Sequence, residues 1–313
     1  MALHWPTFFT RLGSAIVFSA IMMVGLLWNE YAFIGLVCLI QALCIREFFP
    51  LMKKIFPDVY IPNWLPALIQ VSSFLWVILQ TSVFFGIRFS PVLIAMPVII
   101  ILATTLSKKT AFHAGALALA GQMYIMVPIA LLYFMFKQSQ MIPLALVLMI
   151  WMNDTMAYLV GSFIGKTPFS PISPKKTWEG TAGGAILTIA GAAIWGYYSP
   201  WYNMTDWMAL ALCASVAGTA GDLLESKLKR MANVKDSGTM MPGHGGALDR
   251  FDSLLVATPF AFTYAFIFME YISVSIDESK SIDGQYVIES YIYDEVKSEQ
   301  ISDSEYFYFK KRD

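Results

Sequence analysis

The sequence predicts an all-α, polytopic integral membrane protein with about nine transmembrane helices. Three observations predict it. Of the 313 residues, 57% are hydrophobic and only 14% are charged, where a soluble globular domain carries about 45–50% apolar residues. The apolar residues are gathered into long uncharged runs, and ~18 or more such residues in a row are enough to cross the hydrocarbon core as a helix. The cations between the runs fall almost entirely on alternate connections, as they do in a chain threaded back and forth through a bilayer.

The runs predict spans at 12–28, 31–49, 64–85, 90–106, 113–136, 142–163, 180–198, 207–224 and 253–274. The first follows Arg11 and superficially resembles a signal peptide, but bulky Trp28, Tyr31 and Phe33 stand where a small-residue cleavage site is needed, so it is expected to be a retained helix. The second ends near Arg46 and Glu47, whose long side chains can reach the interface. The fourth is short and holds Pro91 and Pro97, which weakens it as a helix. Cys38, Cys44 and Cys213 all lie inside apolar runs, an odd count without metal-site spacing, and read as small buried hydrophobes.

With the N-terminus in the cytoplasm, one set of connections holds Arg11, Lys53, Lys54, Lys108, Lys109, Lys166, Lys175, Lys176, Lys227, Lys229, Arg230, Lys235 and Arg250, thirteen cations against two on the other side, Arg88 and Lys137. The positive-inside rule therefore places the N-terminus and the large basic loops in the cytoplasm. Residues 1–274 read as one transmembrane domain, with no internal repeat and no separate soluble domain. Residues 275–313 are polar and acidic, interleaved with Tyr and Phe. They read as a poorly ordered tail on the opposite face, the weak alternation of Tyr286 to Val296 not supporting a strand.

Two of the basic connections carry chemistry. The first, 153–184, begins with Asp154 inside the sixth span, where a carboxylate is expensive and marks a functional site by default. Lys166 follows, and then Ser173, Lys175, Lys176 and Thr177, with Gly161, Gly165, Gly180, Gly183 and Gly184 around them. Hydroxyls, ammonium groups and a helix N-terminus suit a phosphate, and glycines let a ligand or another helix approach the backbone. The second, 218–253, holds Asp222 with Glu225 one turn on, then Lys229, Arg230, Lys235 and Asp236, His244 among glycines, and Asp249 with Asp252. Acids three residues apart share a helical face, and acids converging from two helix ends make an oxygen-ligand site for a hard cation such as Mg²⁺, with substrate phosphates completing its shell. His4 and His113 lie far from His244, which argues against zinc. A phosphate-binding, metal-binding site at a membrane boundary points to phosphoryl or nucleotidyl transfer on a lipid.

The stretch from Ser226 through Lys229-Arg230 and Lys235-Asp236 to Pro242-Gly-His-Gly-Gly246 and Asp249-Arg-Phe-Asp252 closely resembles the signature of the phosphatidate cytidylyltransferase family, the CDP-diacylglycerol synthases. The stretches around Asp154 and around Ser173 to Gly180 are similar to that family too, and the layout matches over about 12–274. The resemblance implies an enzyme of phospholipid biosynthesis in which phosphatidate attacks the α-phosphorus of CTP, giving CDP-diacylglycerol and pyrophosphate. It implies Mg²⁺ at Asp222 and Asp249, with Asp252 as a further ligand and K⁺ as an optional second ion. Lys175, Lys176, Lys229, Arg230 and Lys235 would bind CTP phosphates or the lipid headgroup, beside Ser173 and Thr177. Asp154, Asp236, Asp252 and His244 are second choices. A homodimer in a bacterial inner membrane, with its loops in the cytoplasm and no nucleic-acid partner, is also implied. Three residues depart from the pattern: Met241 and Ala247 replace larger aliphatics, and Ser162 stands where many members have a cation that Lys166 would then replace.

Two other readings remain open. The same loops would serve a cytidylyltransferase acting on an isoprenoid phosphate. An ion-coupled transporter would also use Asp154 and Asp222, but the acids cluster with lysines at the cytoplasmic ends, and no inverted repeat is present.

Overall fold

The computed structural model describes residues 5–81, 91–107, 112–240, 245–269, 272–282, 285–293, 300–301 and 306–310. Among these the chain runs as nine continuous helices: α1 (Trp5–Leu27), α2 (Glu30–Ile55), α3 (Trp64–Thr81), α4 (Pro91–Leu106), α5 (Phe112–Gln138), α6 (Met141–Ile164), α7 (Trp178–Tyr198), α8 (Met204–Met231) and α9 (Leu248–Phe268). Five of them, α2, α5, α6, α8 and α9, are long and apolar enough to cross a membrane. Shorter apolar helices cover Leu12–Leu27, Trp64–Val77 and Ala95–Leu106, whereas α7, diluted by glycine, threonine and tyrosine, is not among them.

The helix starts are set by local chemistry. Asn29 caps α2 by accepting from the Ala32 N–H at 2.9 Å. Asn203 and Asp206 form a capping box on α8, and Asp206 also accepts from the Tyr264 hydroxyl at 3.0 Å, fastening α8 to α9. α5 passes through a π-helical turn, Gln122–Met126, just before Pro128. The wider turn makes room for a proline that lacks an N–H and would otherwise press on the preceding turn.

α6, α7, α8 and α9 pack each on the next, and α9 returns onto α5. α1 to α5 form a second consecutive group, which touches the first through α1, α2 and α5. The core includes Phe33, Val37, Leu65, Ile69, Trp76, Tyr133 and Trp207, all at most 1% exposed. Cys38, Cys44 and Cys213 are free thiols within the helices.

The helices differ from the predicted spans at their ends. α8 continues past 224 to Met231, because its last two turns are amphipathic rather than apolar. Glu225, Lys229 and Arg230 therefore ride on a rigid helix instead of a loop. It stops at Asn233, whose φ of 54° is left-handed. The Val234 N–H bonds to the Lys229 carbonyl at 3.0 Å and the Asn233 N–H to the Arg230 carbonyl at 3.1 Å, a Schellman closure. α9 begins at Leu248, earlier than predicted, so Asp249 and Asp252 are both helical.

Strands also stand outside the all-α expectation. β1 (Pro168–Ser170) and β2 (Ser173–Thr177) form an antiparallel hairpin between α6 and α7. In the tail, read from the sequence as poorly ordered, β3 (Ile272–Ile282), β4 (Gln285–Tyr293), β5 (Gln300–Ile301) and β6 (Tyr306–Lys310) pair antiparallel, with β4 at the centre. β-branched and aromatic residues such as Ile276, Val287, Ile288 and Tyr308 favour the pleated backbone despite the acidic residues between them.

Candidate functional site

The site begins where α6 and α7 touch. Gly180, Gly184, Thr188, Ala192 and Gly196 form a buried stripe at every fourth residue of α7. A methyl group added at Gly180 would lie 2.7 Å from the Ala157 carbonyl oxygen and 2.9 Å from the Gly161 Cα, and one at Gly184 would lie 2.9 Å from the Asn153 carbonyl oxygen. The two backbones are in contact, as small residues allow between membrane helices. These glycines therefore serve helix packing, the second of the two uses the sequence left open for them.

That contact fixes the hairpin. Thr177 caps α7, its Oγ1 accepting from the Gly180 N–H at 3.1 Å. Glu179, in the first turn of α7, accepts from the Lys166 N–H at 3.1 Å, the Thr167 N–H at 3.1 Å and the Thr167 hydroxyl at 2.8 Å. A bond from its own backbone N–H, then those from Thr167 and Lys166, hold the Glu179 carboxyl at about 2, well below the usual range. The segment after α6 is thus tied to the start of α7, and the hairpin between them carries Lys175 exposed and Lys176 half-buried.

Lys176 reaches across to α8 and pairs with Asp222. The other Asp222 oxygen lies 3.3 Å from the Ser226 hydroxyl. A methyl group at neighbouring Gly221 would collide with the Asp252 carbonyl oxygen and lie 3.1 Å from the Ser253 Cα, so α8 and α9 also cross backbone to backbone. This crossing brings Asp222 close enough to Asp252 and Asp154 for the three carboxylates and Lys176 to interact electrostatically. Asp252 is 8% exposed and accepts from the Ser253 N–H at 2.6 Å. Asp154 is exposed.

A second cluster is centred on Lys229. Its ammonium lies 2.5 Å from Glu225 and 2.5 Å from Asp249. The second Asp249 oxygen accepts from the Ser237 N–H at 2.9 Å and the Gly246 N–H at 2.7 Å, with the Ser237 hydroxyl 3.0 Å away. Asp249 thus organises the loop between α8 and α9. Gly245, at φ +85°, gives that loop a left-handed turn that a side chain would strain.

Glu47 of α2 completes the loop. One of its oxygens lies 2.8 Å from the Ser237 hydroxyl and accepts from the Leu248 N–H, at the start of α9, at 3.0 Å. It also fills the space beside Gly238 and Gly246. The sequence reading gave Glu47 no role beyond reaching the interface, although a charge pair at the end of an apolar span was the signal that could have found it. Glu225 was noticed only as a neighbour of Asp222, and Ser237 carried no signal of its own.

A single model of the cytidylyltransferase family matches residues 9–268. The chain belongs to the cytidylyltransferase family. Phosphatidate cytidylyltransferases of Staphylococcus aureus (strain COL), over 171 residues, and Staphylococcus haemolyticus (strain JCSC1435), over 173 residues, are each 39% identical to it, across 53% of this chain and 65% of their own length. That of Staphylococcus saprophyticus is 38% identical over 171 residues. The chain thus matches a little under two thirds of the length of these relatives.

Within this cytidylyltransferase fold the predicted residues divide into three groups. Asp154, Lys176, Asp222 and Asp252 form one cluster, and Lys229 with Asp249 belongs to the other. Ser173 is half-buried on β2, while Lys175, Arg230, Lys235 and Asp236 are exposed around the clusters. His244 lies outside the described residues. The proposed metal trio Asp222, Asp249 and Asp252 is not gathered into one ligand set, and among the described residues no three His, Cys, Asp or Glu residues form a group that could hold a metal ion. The exposed Ser162 hydroxyl donates to the Tyr158 carbonyl at 2.7 Å, inside its own helix.

Proposed function

We propose that this protein is a membrane nucleotidyltransferase that converts CTP and phosphatidate into CDP-diacylglycerol and pyrophosphate. One observation carries the reading. Lys176 meets Asp222, beside Asp154 and Asp252, and the three acids stand on helices apolar enough to cross a membrane. A lipid phosphate and a nucleotide can reach such a site together. The family match and the name of the relatives support the same reaction.

In that reaction a phosphatidate oxygen forms a bond to the α-phosphorus of CTP. The bond from that phosphorus to the bridging oxygen breaks, and its electron pair leaves with pyrophosphate. The nucleophile is already an anion, so the protein need supply no strong base. Its contribution is positioning and charge neutralisation. Lys176 is held by Asp222 at the centre, while the exposed Lys175, Arg230 and Lys235 are available to the departing polyphosphate. Lys229 is occupied by two carboxylates and sets the shape of the loop.

Asp222, with Asp154 or Asp252 near it, offers the one or two carboxylate oxygens by which Mg²⁺ is commonly held when substrate phosphates complete its shell. Bound there, Mg²⁺ would neutralise charge on the transferring phosphoryl group. Asp249 fits less well as a ligand, since its side chain is only 6% exposed against 29% for Asp222, and it already serves Lys229, Ser237 and Gly246.

The nine helices then act as nine spans, with the N-terminus and the site in the cytoplasm of a bacterium and the chain functioning as a homodimer. The test is turnover of purified protein in detergent–lipid micelles with labelled CTP and Mg²⁺, offered phosphatidate or an isoprenoid phosphate, with and without EDTA. CDP-diacylglycerol formed only with the metal is expected. Product from the isoprenoid phosphate alone would move the assignment to that lipid, and no product from either would overturn it.

A further inference from the structure

α1 and α2 form a wedge. Near their connection they are in contact, and a methyl group at Gly25 would lie 2.6 Å from the Leu36 side chain. Twelve residues earlier along α1 they leave room, for a methyl group at Gly13 would meet nothing within 4 Å. The space between them is a cavity of about 360 Å³, lined by Gly13, Val17 and Ile21 of α1 and by Leu36, Leu39 and Leu43 of α2. That volume is within the usual range for small-molecule sites. Its outer rim is open, Val17 being 59% and Leu39 46% exposed.

The wedge opens toward the site. Leu43 lies one helical turn before Glu47, which fastens the loop and the start of α9. Two further lining residues come from the catalytic segment itself, Met240 from the loop and Phe251 from α9, between Arg250 and Asp252. Phe18 forms the floor, its ring 5.7 Å from that of Phe251 and 6.1 Å from that of Trp151, which lies three residues before Asp154. A second, small cavity of about 10 Å³ shares Met22 and Phe251 with the first and is lined by Arg250 as well. Arg250 is exposed and forms no ion pair with a described acid within 4 Å, although it feels the charge of Asp154. An apolar wedge between two membrane-type helices thus ends at a cation beside the reacting groups.

We propose that this wedge is the lipid-substrate subsite: one acyl chain of the lipid lies between α1 and α2, and Arg250 receives its phosphate. This rests on the reaction proposed above and names the part of the chain that would hold its lipid. The shape suits a flexible chain tethered to an anion, because apolar surface and positive charge meet at Phe251 and Arg250. A lipid that merely coats the helices has no need of a lining residue from the catalytic loop, yet Met240 supplies one.

The test uses two measurements on the full-length protein. Gly13→Leu puts a side chain into the wedge from a position where the Cβ meets nothing within 4 Å, so its KM for dioleoyl phosphatidate should rise relative to its KM for dihexanoyl phosphatidate by about tenfold, the loss of roughly two buried methylenes. Gly35→Leu, at another glycine with open space beside it and outside the wedge, should leave both values unchanged. An equal change for both chain lengths, or none, overturns the subsite. The second measurement needs no turnover: phosphatidate carrying a diazirine in one acyl chain is photolysed with the wild-type protein and the adducts are mapped. Adducts on Val17, Ile21 and Leu39 that excess unlabelled phosphatidate suppresses are expected. Adducts elsewhere, adducts that are not suppressed, or efficient crosslinking of two chains through Val17→Cys overturn the proposal. Suppressible adducts in the wedge without CDP-diacylglycerol formation would retain the subsite and remove the reaction; turnover with adducts elsewhere would do the reverse.

Discussion

Lys176 on the β1–β2 hairpin and Asp222 on α8 form an ion pair that joins the two basic segments of the sequence into one site. Both side chains are only partly covered, 28% and 29% exposed, so the pair remains accessible to a ligand.

Lys176→Met removes the one ammonium within the carboxylate cluster. Loss of a single preorganised charge at a reacting phosphoryl group costs about 10²–10³ in kcat, and a loss of that size is expected in the labelled-CTP assay. Asp222→Asn should cost at least as much and should also raise the Mg²⁺ concentration for half-maximal turnover. An unchanged metal requirement in Asp222→Asn would remove Asp222 from the metal site.

Asp249→Asn should abolish turnover while the protein remains helical and inserted. The substitution removes the anion that Lys229, Ser237 and Gly246 all address, in a pair whose side chains are 6% and 14% exposed. Breaking such a buried pair costs about 3–5 kcal/mol, here concentrated in the loop between α8 and α9. Activity near wild type, with circular dichroism unchanged, would show that the loop does not depend on Asp249.

Gly184→Ala tests the contact between α6 and α7. The added methyl group meets the backbone oxygen of Asn153 and the Ala157 side chain, neither of which can rotate away. Overpacking of this kind costs about 1–3 kcal/mol, read as a lower thermal midpoint in detergent. Gly35→Ala, with open space around it, should show no such loss.

Glu179 gives the protein a pH dependence with a defined sign. Its folded-state carboxyl sits at about 2, below the ~4.3 of an unperturbed glutamate. Its stabilising effect is therefore complete above pH ~4.3 and disappears as the pH falls toward 2. Glu179→Gln should lower the thermal midpoint at neutral pH, and the gap between wild type and variant should close across that acid window. A constant gap would mean that the charge of Glu179 is not what ties Lys166 and Thr167 to α7.

Most of the helical layout was legible because apolar runs are a long-range average and tolerate local exceptions. The ends were less so. Residues 225–231 look like a loop because they are charged, yet they continue α8 with one face against α9. The β1–β2 hairpin lacks the alternation that marks a strand, with Pro174 in the middle of β2. The tail strands were missed for the opposite reason, as acidic composition outweighed their β-branched and aromatic residues. At the site, the sequence pointed to charged segments that the fold brings near one another, but it could not divide them. Whether Asp249 faces Asp222 or Lys229 depends on how α8 and α9 cross, and that crossing is set by Gly221. Glu47 was hidden by distance along the chain, since nothing near it in sequence indicates that its partners lie at Ser237 and Leu248.

The bond network of Glu47 also bears on how the chain could be divided. α2 belongs to the N-terminal group of helices, yet it supplies a carboxylate that the start of α9 and the loop before it both use. A fragment beginning after α3 would keep the residues around Asp222 and Asp249 but lose the acceptor that seats their loop. Two separately expressed pieces, cut between α3 and α4, would regain it only by reassociating. The N-terminal helices are thus a working component of the site rather than a membrane anchor attached to it.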